Sequence, residues 1–192
     1  MILFYSKSFV NINAFNNLAH DLNLSNVFAF TDRVRFLTCA TLIRDATYII
    51  DTVSAIPGDV NWINQYLSTR VKPERIHYIA HPAILKNSYS SYVNTITTLV
   101  ELRKKLVKIQ KEKYSLPNRP LSQHVKENVR RRLGAGYYNV VLHEQSTPEE
   151  RDRYISTHGQ RAYLNRRYQI SRKLNLRTLQ EYRSMIMLMN AD

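Results

Sequence analysis

Residues Gln160–Leu174 read QRAYLNRRYQISRKL. On a helical projection Arg161, Asn165, Gln169 and Arg172 fall together, and Arg166 and Lys173 flank them. Tyr163, Ile170 and Leu174 share the opposite, apolar face. A row of two guanidiniums and two carboxamides has a defined chemistry. Arg bridges the two acceptors of a guanine edge, and Asn or Gln pairs in the same way with adenine. The flanking cations suit phosphates, which position a protein without reading base order. Arg131, inside the run Arg130-Arg131-Arg132, is a further phosphate-contact candidate. The competing reading of both segments is a solvated, arginine-rich surface.

Elsewhere the reactive side chains are sparse. Asp51 ends the run TYIID, where a carboxylate could accept a phosphoryl group or hold a cation. That chemistry wants several oxygen ligands around a metal. The first apolar run is followed by Ser6-Lys7-Ser8, which offers no acidic pair, so a structural role competes for Asp51. His143 and His158 have neither metal-ligand spacing nor a nearby cysteine. Cys39, the single cysteine, sits in an apolar stretch and reads as core filler. There is no nucleophile–base set and no phosphate-cradling glycine pattern. The expectation is a protein that is not an enzyme and needs no cofactor or metal. No run approaches the roughly 18 apolar residues of a membrane span. A cytoplasmic chain without a membrane partner is expected, and a lone cysteine suits a reducing compartment.

Charge gives the partner class. The chain has 192 residues, 28 Lys/Arg and 15 Asp/Glu, a net charge of +13. Residues 101–192 hold 20 Lys/Arg against 9 Asp/Glu, and residues 1–100 hold 8 against 6. A near-neutral first half followed by a basic second half points to a scaffold joined to a polyanion-binding domain.

The elements that would position these residues follow from periodicity. Ile2–Tyr5, Val27–Phe30, Thr47–Val53 and Ile76–Ala80 are short apolar runs, read as strands. Between them Val10–Leu24, the stretch from Val34 to Leu42, and a segment starting at Pro57 show helical spacing. Alternating strands and helices predict a parallel sheet covered on both faces. A fifth strand is not apparent, so the sheet is either small or completed by a partner. Tyr92–Lys113 reads as one long helix. Leu99, Leu102, Leu106 and Ile109 stand at spacings of three, four and three, with Val93 and Ile96 compatible upstream. This stripe either pairs two copies as a coiled-coil seam or lies on the first domain. Pro117 and Pro120 end that helix.

In the second half Ser122 is a candidate N-cap for a helix through Leu133, stopped by Gly134-Ala135-Gly136. Tyr137–Leu142 is ambiguous between strand and short helix. Thr147-Pro148-Glu149-Glu150 gives a helix start with a cap, a first-turn proline and acids at the positive end of the dipole. Thr178 caps a last helix in which Leu179, Tyr182, Ile186 and Met189 recur.

Leu121-Ser122 opening a helix that ends at Gly136, and a basic helix finishing Arg172-Lys173-Leu174-Asn175-Leu176, resemble the LuxR/NarL-type helix-turn-helix domain over roughly residues 120–190. The resemblance implies that Gln160–Leu174 is the recognition helix and that Thr178–Met189 is the fourth helix, which often supports dimerisation. Ala162-Tyr163 stands where the family has Thr-Val, and the stretch from Gly136 to Gln160 is longer than the family's. The first half is similar to a response-regulator receiver domain. Asp51 matches its phosphoacceptor position and Ala80 lies near its switch Thr/Ser. The acidic pair and the lysine after a fifth strand are missing, which implies a degenerate, unphosphorylated receiver.

The expected architecture is therefore α/β followed by all-α. A receiver-like parallel sheet domain spans 1–91, a helical linker 92–119, and a helix-turn-helix domain 120–192. The expected function is a dimeric regulator that binds double-stranded DNA, as a homodimer or with a related regulator. The rivals are a protein-interaction regulator that heterodimerises with another DNA-binding protein, and an RNA-binding protein that stacks bases on its tyrosines.

Overall fold

The structure, a computed structural model, describes residues 1–81, 94–112, 118–145 and 147–191. Pro82, Ser88–Ser91, Tyr92, Val93, Lys113, Leu116 and Pro117 lie outside the described residues. The chain forms two compact units. The first comprises Met1–Ala40 and Arg44–Arg119, the second Pro120–Asp192 with the short stretch Thr41–Ile43.

The first unit is built on β1 (Ile2–Tyr5), β2 (Val27–Phe30), β3 (Thr47–Asp51), β4 (Ile76–Ile79) and β5 (Thr95–Ile96), in the order β2-β1-β3-β4-β5. All four pairings are parallel. This is one of the two common doubly wound strand orders, and its switch point lies between β1 and β3. β1 and β3 are buried along their whole length, as continuous apolar runs in a covered parallel sheet must be.

Residue parity assigns the two faces. Ile2, Phe4 and Ile49 meet Phe15 of α1 (Phe9–Asp21) and Leu102, Leu106 and Ile109 of α4 (Leu99–Glu112). The rings of Phe4 and Phe15 stack at 4.1 Å. On the other face Phe36 of α2 (Arg33–Leu42) packs on Tyr5 and Tyr48, with ring centroids 5.3 and 6.3 Å away. There too Asn64 of α3 (Pro57–Ser68) accepts a 2.6 Å bond from the Tyr78 hydroxyl.

Two sequence expectations change here. Thr95 and Ile96 pair with Tyr78 and Ile79 as a fifth strand, so the chain completes its own sheet. The single helix expected over Tyr92–Lys113 thus starts only at Leu99. Its start is fixed by Glu101, whose carboxylate accepts from the Thr97 amide at 2.8 Å while the Thr98 hydroxyl accepts from the Glu101 amide at 3.2 Å. This reciprocal exchange works like a capping box. The expected linker is also corrected. Leu102, Leu106 and Ile109 are core residues of the sheet unit, at 8%, 0% and 6% exposure. A second copy cannot use them without opening the domain. Leu99 is outside that core and exposed.

Moving α4 into the first unit redistributes the charge. Residues 1–119 carry 15 Lys/Arg and 8 Asp/Glu, and residues 120–192 carry 13 and 7. The expected contrast between a neutral and a basic half disappears.

The second unit is all helical among its described residues. It contains α5 (Leu121–Leu133), α6 (Ala135–Gln145), α7 (Pro148–His158), α8 (Gln160–Leu174) and α9 (Leu179–Asn190). Val125, Val129 and Leu133 of α5 are buried, and α9 packs against them with Tyr182, Met185, Leu188 and Met189. Tyr137–Leu142 resolves as helix. Ser122 is not the cap of α5. Pro120 holds that position without a side-chain bond, and Ser122 is buried inside the first turn. Gly134 (φ 72°) and Gly159 (φ 81°) turn the chain between helices in a region that disfavours other residues. Thr147 and Thr178 cap α7 and α9, accepting from the Glu150 and Glu181 amides.

Candidate nucleic-acid interface

α8 begins directly after Gly159 and ends at Asn175, which adopts the left-handed conformation (φ 59°) and so stops the helix. Tyr163, Ile170 and Leu174 are buried at 6%, 0% and 0% exposure. The core therefore fixes which side of α8 faces outward. On that side Arg161, Asn165, Gln169 and Arg172 are all exposed, and Lys173 flanks them. The Arg172 guanidinium lies 5.9 Å from the Tyr168 ring centroid, and the Lys173 amine 5.1 Å from that of Tyr137.

Arg166 does not join this outward group. Its guanidinium donates to the Tyr154 hydroxyl and lies over that ring, which half-buries it between α7 and α8. Arg131 is exposed on α5 and donates to Asn128 one turn back, at 2.7 Å. Of the arginine run, Arg132 reaches furthest into the unit, donating at 3.2 Å to the Lys173 carbonyl in the last turn of α8. A cation there also complements the helix dipole.

Sequence reasoning missed three participants. Leu164 and Tyr168 are 50% and 61% exposed on the outward side of α8. Their angular position beside Arg161 and Arg172 was the available signal. Arg167 turns inward. It pairs with Glu144 of α6 at 3.2 Å and lies over the rings of Tyr163 and Tyr182. The ion pair lacks aligned hydrogen-bond geometry, so its contribution is mainly electrostatic. Burial, with the Glu144 carboxylate alongside, pushes the Tyr163 hydroxyl up to about 12. It moves the Tyr182 hydroxyl further in the same direction.

Asp51 lies at the carboxyl end of β3, beside the β1/β3 switch point, and is 1% exposed. Its Oδ2 accepts from the Ser6 hydroxyl at 2.7 Å, the Asn11 amide at 2.8 Å and the Ser54 hydroxyl at 2.6 Å. Its Oδ1 accepts from the backbone amides of Val53 and Ser54. Burial raises the carboxyl pKa, but the bonds from Ser54, Asn11 and Ser6 outweigh it and hold the group below its ordinary value. Both oxygens are thus engaged by neutral donors of the same unit.

His143 and His158 meet the same aromatic side chain. Both lie against the Tyr154 ring, at centroid distances of 5.0 and 4.2 Å. Among the described residues no cluster of three or more His, Cys, Asp or Glu side chains is placed to hold a metal ion. Cys39 is fully buried, which raises its thiol well above the ordinary range. No described helix is long and apolar enough to cross a membrane.

No family model and no curated protein matches this sequence. The crystal structure of full-length FixJ from B. japonicum is similar to it over 98% of this chain and 96% of that one, with 14% identity and a TM-score of 0.40.

Proposed function

We propose that this chain is a DNA-binding transcription regulator that reads duplex DNA with the outward side of α8. The observation that carries the reading is the shared exposure of Arg161, Asn165, Gln169 and Arg172 on a helix whose other side is locked in the core. Fifteen residues make a rod of about 22 Å, and a helix of ordinary width fits a major groove about 12 Å wide. The guanidiniums and carboxamides then meet base edges. Exposed Tyr168 and Leu164 offer apolar surface to thymine methyl groups. Lys173 and Arg131 serve the phosphates, so affinity comes largely from released counterions.

The regulator works without phosphorylation; supporting this, Asp51 is buried, both its oxygens accept bonds from its own unit, and Ser6-Lys7-Ser8 offers no acidic pair beside it. It pairs with itself or with a related regulator. The contact surface is the exposed side of α9 at Leu179 and Met187 rather than the stripe buried in the first unit. Sedimentation of the full chain checks this, and a monomer at micromolar concentration would remove the dimer.

The central test is selection of bound duplexes from a random pool, compared between the wild type and Asn165→Ala or Gln169→Ala. Each variant should relax preference at one or two base positions by about 1–3 kcal/mol. Identical selected sites for all three proteins would remove α8 as the reader. Heterologous duplex bound no better than other polyanions would favour the protein-interaction reading.

A further inference from the structure

The second unit contains a concavity that the outward side of α8 does not use. It is an open groove of about 810 Å³, formed by α6, α7 and one residue of α8. At its centre is Tyr154. His158 stacks on this ring at 4.2 Å and 20°, His143 lies against it at 5.0 Å and 32°, and the Arg166 guanidinium completes the wall. Tyr137 and the exposed side chains of Asn139, Arg153 and Thr157 line the remainder.

We propose that this groove binds a nucleotide, a heteroaromatic ring carrying phosphate. The wall consists of π faces and delocalised cations with Val140 as its aliphatic residue, a surface that favours a flat aromatic ligand over an aliphatic one. His143 and Tyr137 present ring surface for stacking. The carboxamide of Asn139 supplies donor and acceptor groups that orient a base or sugar, and the Thr157 hydroxyl, whose proton goes to the Arg153 carbonyl at 2.9 Å, adds an acceptor. Arg153 and Arg166 outnumber the one carboxylate in the lining, Glu150, and give the groove the sign a phosphate requires. The volume falls inside the range of about 300–1,000 Å³ typical of ligand pockets. Both imidazoles lie against a phenol ring, and no third His, Cys, Asp or Glu joins them among the described residues in a cluster placed to hold a metal ion.

The test uses the full chain without DNA. GMP and AMP are titrated while the ring signals of His143 and His158 are followed by NMR, with guanosine, inorganic phosphate and tripolyphosphate as separate arms. A saturable shift is expected with a mononucleotide, at least about tenfold tighter than with guanosine or inorganic phosphate. Thr157→Trp, at an exposed helical position, fills the groove and should weaken that binding at least about tenfold while helicity and melting stay unchanged. A titration that never saturates, that tripolyphosphate reproduces, or that Thr157→Trp leaves intact overturns the site. The outcome is separate from the reading of α8. Arg161→Ala should relax site preference on duplex DNA at one or two base positions and leave the nucleotide titration as it was.

Discussion

The two units treat their polar side chains in opposite ways. In the first, the groups that look reactive are turned inward and satisfied. Asp51 accepts from three side chains and two backbone amides. α4 leaves Arg103, Lys104, Lys108 and Lys111 exposed, and its one carboxamide, Gln110, is exposed but tied to the Leu22 carbonyl at 3.1 Å. In the second unit α8 keeps amides and guanidiniums interleaved on its exposed side. The units carry nearly equal net charge, so charge alone does not separate them. The separation lies in which helix offers groups able to tell one base edge from another.

The largest expected effect breaks the first half of this comparison. Leu106 is fully buried against the sheet. Leu106→Ala should destabilise the first unit by about 2–5 kcal/mol in urea denaturation, from lost burial and a residual cavity. The midpoint should not depend on protein concentration. A concentration-dependent midpoint would return α4 to the role of a seam between copies.

Asp51→Asn comes next. An amide nitrogen set against hydroxyl and amide donors leaves buried donors unpaired, at a cost of about 1–3 kcal/mol. The pH dependence has a definite sign. The folded pKa of Asp51 lies below its unfolded value. Its contribution is therefore fully present above the unfolded carboxylate pKa of about 3.9 and is lost as pH falls through the folded value. Denaturation between neutral pH and pH 3 should show the wild type losing stability more steeply than the variant. Parallel curves would mean that the hydrogen-bonded shell does little.

How much of this was legible in the sequence follows from the same contrast. β1 and β2 read directly, because each is a short, continuous apolar run ended by a polar residue. β5 did not, because Thr95-Ile96 is two residues long and Ile96 also fits the helical spacing of the leucines after it. The α4 stripe could not be assigned, since a seam and a core face share one heptad pattern. Charge counting misled for a related reason. The lysines of α4 were credited to the second half, although their helix is anchored in the first. Within α8 the projection sorted inside from outside for Tyr163, Ile170 and Leu174. It did not foresee that Arg166 is held by Tyr154, or that Arg167 meets Glu144 from another helix. Angles on one helix say nothing about partners on the next.

The Arg166–Tyr154 contact sharpens the second half of the comparison. Treated as a free phosphate gripper, Arg166 should on truncation lower binding to every duplex and flatten the salt slope by about one unit. Held by Tyr154, it should instead act through the joint between α7 and α8. Arg166→Ala and Tyr154→Phe should each destabilise the second unit by about 1 kcal/mol. The double variant should fall short of their sum, because both remove the same bond. Additive losses, or a salt slope reduced by Arg166→Ala alone, would put its guanidinium back on the nucleic acid.

The smallest effect is expected at the exposed lysines of α4. Lys104, Lys108 and Lys111 stand at spacings of four and three on the exposed side of α4, and replacing all three by Ala removes three positive charges without touching the core. If base-reading geometry rather than bulk charge sets the binding mode, these lysines act only through a field screened over about 8 Å at physiological salt. The triple variant should then bind its duplex within about threefold of the wild type, change the slope of log K against log salt by less than about one unit, and select the same sites. A slope lowered by two to three units would show that α4 itself lies on phosphates. The chain would then hold DNA with both units, one gripping and one reading, and the contrast between them would become a division of labour on a single ligand.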